Sequence, residues 1–123
     1  MPESLCDHEK LRAYQEALRF VAWAEPVLRE LPGSLAARDQ LDRASTSDVL
    51  NMAEGNGKRS GRERCRFFAI ARGSALECAA CLEVLSAKSR LPPAVAIAGK
   101  TILAGVVSLS TGLIARFSDS SCA

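Results

Sequence analysis

The stretch Phe67-Phe68-Ala69-Ile70-Ala71-Arg72-Gly73-Ser74-Ala75-Leu76-Glu77-Cys78-Ala79-Ala80-Cys81-Leu82-Glu83-Val84-Leu85 decides the fold. Phe67, Ala71, Ser74, Cys78, Cys81 and Leu85 follow one another at steps of four, three, four, three and four. That is the period of one face of an α-helix, and its small side chains let a partner helix come close. A half-buried strand would alternate apolar and polar residues, and no segment of the chain does so for long enough.

Working outward, this helix is bounded upstream by Gly55-Asn56-Gly57, running to Ser60-Gly61, and downstream by Arg90-Leu91-Pro92-Pro93. A third break, Leu31-Pro32-Gly33-Ser34, lies nearer the start. The breaks predict helices over about 7–30, 34–54, 60–89 and 92–117, with a frayed tail over 118–123. In the first helix Leu11, Tyr14, Leu18, Val21 and Leu28 mark the inner face, and Pro26 predicts a kink or an early end. Ser34 is the expected N-cap of the second and Gly55 its expected C′ residue. Proline in the first turn of the fourth lacks only an N–H that would have no partner there. Four helices with short links predict an all-α, antiparallel up-down-up-down four-helix bundle, a single domain over residues 1–123.

Composition agrees. A chain of 123 residues fits one domain, and 48% hydrophobic with 5% aromatic residues suits Ala/Leu helix packing better than a β-sandwich. The net charge of +2 points to no partner by itself, so any basic surface must be local. Five cysteines at irregular spacing, after a polar start carrying Glu3, Asp7 and Glu9, predict reduced thiols, no signal peptide and a cytoplasmic protein. The longest uncharged run, Thr101 to Ala115 between Lys100 and Arg116, falls short of the roughly 20 residues of a membrane span.

The inventory for catalysis is thin. His8 is the sole histidine, there is no Glu-x-x-His pair for a di-iron site, and no phosphate loop. The expectation is no enzyme, no cofactor and no metal. Cys78-x-x-Cys81 lies on the apolar seam and reads as core rather than as half of a zinc site. Ser47, Asn51 and Glu54 share one face of the second helix. They either fix the corner by bonding the turn from Gly55 to Ser60, or hold a ligand. The basic run is Lys58, Arg59, Arg62, Arg64 and Arg66, with Arg43 and Arg72 extending it from flanking positions. Cations near a helix start are disfavoured by the dipole, so helix stability does not explain them. A phosphate backbone does; a solvated charged face is the alternative. No adjacent exposed aromatic is evident for stacking on bases.

The fourth helix carries two apolar stripes. Leu91, Val95, Ile102, Val106, Leu109, Leu113 and Phe117 form the inner one. Leu103, Val107 and Ile114 form a second, expected at a subunit interface unless Trp23 and Val27 of the first helix cover it.

The segment from Ala44 to Ser60, ASTSDVLNMAEGNGKRS, resembles the S-x-x-x-N-[I/M]-A-E-G-x-x-[K/R]-x-S pattern of the four-helix-bundle proteins encoded in 23S rRNA intervening sequences. Residues Phe67 to Glu77 resemble that family's F-[LF]-x-I-A-x-G-S-x-x-E run, and Leu11 to Leu18 fit its first helix. The likeness extends over about residues 10 to 90 and departs at Asp48-Val49, where Ile-Pro is frequent, and at Pro26. It implies structural roles for Ser47, Asn51, Glu54, Gly55, Gly73, Ser74 and Glu77. The family is similar in fold to the accessory proteins of diversity-generating retroelements, basic pentameric bundles that associate with a reverse transcriptase and nucleic acid. The resemblance therefore implies a ring-like homo-oligomer, a pentamer, without enzymatic activity. RNA or DNA, a reverse transcriptase or another protein are the expected partners. The function expected is binding of structured nucleic acid through the basic face, with a protein-interaction scaffold as the alternative.

Overall fold

A computed structural model describes residues 5–121, with side chains described through Ser118. A 3-10 turn, Asp7–Lys10, is followed by four helices: α1 (Arg12–Glu30), α2 (Ala36–Asn56), α3 (Gly61–Ala87) and α4 (Pro93–Ser121). No strand occurs among the described residues. Each helix packs on its sequence neighbour, and α1 closes the ring against α4, so α1 faces α3 only across the diagonal. This is the up-down-up-down bundle that the short links predict.

The helix boundaries correct several expectations. Leu11 is extended (φ −76°, ψ 119°), which separates the 3-10 turn from α1. Pro26 does not end α1, which continues to Glu30. Pro26 and Ala22, whose carbonyl loses its helical donor, are both exposed, so water can serve that carbonyl. Leu35, not Ser34, caps α2, with no side-chain bond. Gly55 is buried within α2, whose C-cap is Gly57 in a right-handed conformation (φ −84°). Ser60 does cap α3, its Oγ accepting from the Glu63 N–H at 3.1 Å. At the far end of α3, Ser89 takes a left-handed φ of 58° while the Arg90 N–H donates to the Leu85 carbonyl at 2.8 Å, a Schellman-type closure made without glycine. The α4 helix continues past Ser118 to Ser121 rather than fraying there.

The inner face of α1 is built of small residues around one ring, Ala13, Ala17, Phe20, Ala24 and Leu28. On α3 the buried set is Phe68, Ala71, Ala75, Cys78, Cys81, Leu82 and Leu85. The seam of α3 thus turns slightly from the expected one: Phe68 replaces Phe67 in the core, and Ser74 sits at its edge. Two glycines permit close contacts. A Cβ on Gly55 would lie 2.8 Å from the Phe68 ring, and one on Gly99 would lie 2.5 Å from Trp23. Trp23 therefore lies over α4 at Gly99. Leu103 is 1% exposed and belongs to the core; Val107 and Ile114 are half-buried against it. Of the three residues expected at a subunit interface, Leu103 is taken up by the core, while Val107 and Ile114 remain half-buried at its edge, so the three do not form one open stripe.

Over Pro93–Ser118, α4 is long and apolar enough to cross a membrane by length and composition, a wider span than the uncharged run alone. Its inner face supplies Ile102, Leu103 and Val106 to the bundle core.

Candidate nucleic-acid interface

The α2–α3 turn, the 3-10 turn and the end of α4 meet at one end of the bundle. Asn56 Nδ2 donates to Asp7 Oδ2 at 2.9 Å, tying the first two together. Phe117 of α4 comes to 6.1 Å, ring to ring, from Phe68 of α3. Met52, Phe68 and Ala71 make the small apolar cluster beneath, with Leu109, Leu113 and Phe117 at its edge.

The expected basic residues divide by position. Lys58, Arg59, Arg62, Arg64 and Arg66 all stand at this end, on the turn and the first two turns of α3. Arg43 lies well back along α2, paired with Asp39 at 3.1 Å. Arg72 lies on the α4 side of α3, its Nε donating to Thr111 Oγ1 at 2.9 Å. Neither extends the cluster. Arg59 and Arg62 point to water from the turn and the outer side of α3, whereas Arg64 and Arg66 each lie over an aromatic ring. The positive charge is a collar round the end rather than a single flat face.

Ion pairing sharpens this picture. Elsewhere Arg19 pairs with Glu16, Arg29 with Glu25, Arg43 with Asp39 and Lys100 with Glu83, while Arg12, Lys88, Arg90 and Arg116 stand singly along the bundle without a carboxylate among the described residues. In the collar only Lys58 has such a partner, Glu54 at 3.2 Å. Among the described residues no carboxylate pairs with Arg59, Arg62, Arg64 or Arg66.

Aromatic rings are present after all. The half-buried Phe67 ring has Lys58 Nζ 5.1 Å and the Arg66 guanidinium 5.5 Å from its centroid. Phe117 is flanked in the same way by Arg64 at 4.8 Å and Arg116 at 5.2 Å. A signal existed in the Phe67-Phe68 doublet: adjacent helical residues point about 100° apart, so one of the two had to lie at the edge of the core, among the arginines.

The polar stripe on α2 resolves into two parts. Asn51 Nδ2 donates to the Ser47 carbonyl at 2.8 Å and to Ser47 Oγ at 3.1 Å, and Ser74 Oγ donates to Ser47 Oγ at 3.1 Å. Ser47, Asn51 and Ser74 thus stitch α2 to α3. Glu54 is exposed and holds only Lys58, so it is not a buried support of the corner. Gly73 and Glu77 lie on the exposed side of α3.

The buried carboxylate is Asp48. It is 1% exposed, and its Oδ1 has no hydrogen-bond partner. Burial pushes its pKa up to about 7. Cys78 and Cys81 are buried and their thiols are pushed up, by burial first. That makes them poor nucleophiles and poor ligands at neutral pH. Among the described residues no group of three or more His, Cys, Asp or Glu is placed to hold a metal ion. Cys6, Cys78 and Cys81 are free thiols; Cys122 lies outside the described residues.

A search of curated proteins finds no match. The fold is similar to a crystal structure of a protein of unknown function from the S23 ribosomal protein family of Bacteroides thetaiotaomicron. The TM-score is 0.78 at 18% identity, over 83% of this chain and 97% of that one. Residues 9–103 match the family described as 23S rRNA-intervening sequence protein. That match takes in α1, α2, α3 and the first part of α4, including the α2–α3 corner and its arginines. The chain therefore belongs to the 23S rRNA-intervening sequence protein family.

Proposed function

We propose that this chain is a non-enzymatic, self-associating helical bundle that binds structured nucleic acid through its basic end. The observation that carries the reading is the gathering of Arg59, Arg62, Arg64 and Arg66, none with a carboxylate partner among the described residues, at one end of the bundle. Unpaired guanidinium groups gathered on one end suit a polyanion, since each phosphate neutralised releases condensed counterions. The lack of a positioned base supports a binding role over catalysis. His8 stands at the edge of Tyr14, ring centroids 4.7 Å apart, and the buried thiols are not activated.

A protein-interaction scaffold is the second reading, favoured by large hydrophobic side chains exposed on α2, α3 and α4. Leu50 of α2, Ile70, Leu76 and Val84 of α3 and Ile97 of α4 are exposed large hydrophobics. Where such side chains gather they mark protein contacts, and they serve self-association in either reading. Retention on RNA and DNA at rising salt separates the two. Wild type is expected to bind at low salt and release steeply, and the triple variant Arg59→Glu, Arg62→Glu, Arg66→Glu to lose retention while keeping its helicity. No retention of wild type at low salt leaves the scaffold.

A further inference from the structure

We infer that Phe67 is a stacking platform for an unpaired nucleobase, so that the nucleic acid is engaged at a single-stranded position. This rests on the nucleic-acid reading of the basic end and adds to it the kind of strand recognised. The core does not need this ring. Phe68, its neighbour, fills the buried position and abuts α2 at Gly55. Phe67 is left half-buried at the groove between α2 and α3, with Lys58 from the turn and Arg66 from α3 over it at 5.1 and 5.5 Å. Arg59 and Arg62 are exposed at the same end of the bundle and carry no carboxylate partner among the described residues. A half-buried ring approached by two cations, at the end of the bundle that also carries Arg59 and Arg62, combines the two elements that single-strand sites use. These are a π-face for the base and positive charge for the backbone on either side of it. A base laid on Phe67 also meets Arg66, whose planar guanidinium stacks on a nucleobase as readily as on a phenyl ring. A duplex keeps its bases stacked inside and can offer this end only its phosphates. Unpaired bases in loops and bulges are the parts of a structured RNA that proteins read by stacking.

The test is fluorescence anisotropy at low salt with a labelled uridine 12-mer and a labelled duplex of equal length. Wild type, Phe67→Leu and Phe67→Trp are compared, with circular dichroism to establish that each is folded. Phe67→Leu is expected to weaken single-strand binding about fivefold to tenfold and to leave duplex binding and the salt dependence unchanged. Phe67→Trp is expected to bind the single strand at least as well as wild type, its emission quenched on binding. Equal binding of single strand and duplex by wild type, with no effect of Phe67→Leu and no quenching of Phe67→Trp, overturns the stacking site and leaves the basic end intact. Failure of wild type to bind either strand overturns the nucleic-acid reading itself, and the stacking site with it.

Discussion

The backbone of Gly55 runs against the ring of Phe68: a Cβ on Gly55 would lie 2.8 Å from Phe68 Cε1, 2.9 Å from Cδ1 and 3.1 Å from the Phe67 Cβ. Phe68 is fully buried and cannot swing aside. Alanine normally favours a helix interior over glycine by about 1 kcal/mol, but here the overpacking, of about 1–3 kcal/mol, outweighs it. Gly55→Ala is therefore expected to lower the unfolding free energy. At Gly73 an added Cβ meets nothing within 4 Å, so Gly73→Ala is expected to raise it by up to about 1 kcal/mol. Urea denaturation of both variants reads the two signs; a stabilising Gly55→Ala contradicts the close approach of α2 to Phe68.

Asp48 makes stability fall as pH rises from about 4 to about 7. Below that window its carboxyl is protonated in both states and burial costs no charge. Within it the unfolded chain ionises while folded Asp48, with its pKa raised to about 7, keeps its proton. The native state then binds more protons, and stability drops at about 1.4 kcal/mol per pH unit, about 4 kcal/mol in all. Above it both states are ionised and the slope vanishes. Other carboxylates titrate too, so the quantity to measure is the difference in unfolding free energy between wild type and Asp48→Asn from pH 4 to 8. It is expected to shift steadily against wild type as pH rises, and a flat difference contradicts a carboxyl buried without a partner. Asp48→Ile, which places at this position the residue frequent in the family pattern, is expected to stabilise the fold at pH 8.

Ser60 and Glu54 flank the same corner and should differ in weight. Ser60 Oγ caps α3 at 3.1 Å from the Glu63 amide, and Ser60→Ala is expected to cost about 1 kcal/mol. Glu54 is exposed with an exposed-to-half-buried partner in Lys58, and Glu54→Ala is expected to cost less than about 0.5 kcal/mol. Thermal melts that rank Glu54→Ala as the more damaging would restore the carboxylate to the corner.

The fold was legible in the sequence because a four-helix bundle advertises itself through period and punctuation. Phe67 to Leu85 and the three Gly/Pro breaks sufficed for four helices and their order. Details that depend on three-dimensional neighbours were not legible. Gly55 resembles a helix terminator until Phe68 is known to lie against it. Pro26 resembles a breaker until Ala22 is known to face water. Glu54 was assigned to the corner because it shares a helix face with Ser47 and Asn51, whereas the buried acid is Asp48, since burial depends on which face of α2 meets α1 and α3. The second stripe on α4 was read as an interface because a period shows that residues share a face but not how deep each one lies; Leu103 of that stripe is in the core. Of the basic residues, the contiguous run from Lys58 to Arg66 was found by chain proximity. Arg43 and Arg72 were grouped with it by charge alone, and each turned out to have its own local partner.

Self-association is expected to use exposed hydrophobic side chains of α3 and α4, among them Ile70, Leu76, Val84 and Ile97. The variant Ile70→Glu, Val84→Glu is expected to give a smaller species by light scattering with helicity retained, since neither side chain belongs to the core. A wild-type mass equal to the 13.1 kDa monomer at micromolar concentration contradicts the assembly.

The central claim, that the collar of Arg59, Arg62, Arg64 and Arg66 receives phosphates, is tested most directly by the salt dependence of binding to a fixed RNA. Each phosphate neutralised contributes about 0.7 to 0.9 to the slope of log K against log salt. Wild type is expected to show a slope of about −2 to −4, and the variant Arg59→Glu, Arg62→Glu, Arg66→Glu to bind too weakly to measure at the same low salt. Binding that is absent at low salt, or that persists in the triple variant with an unchanged slope, contradicts the account.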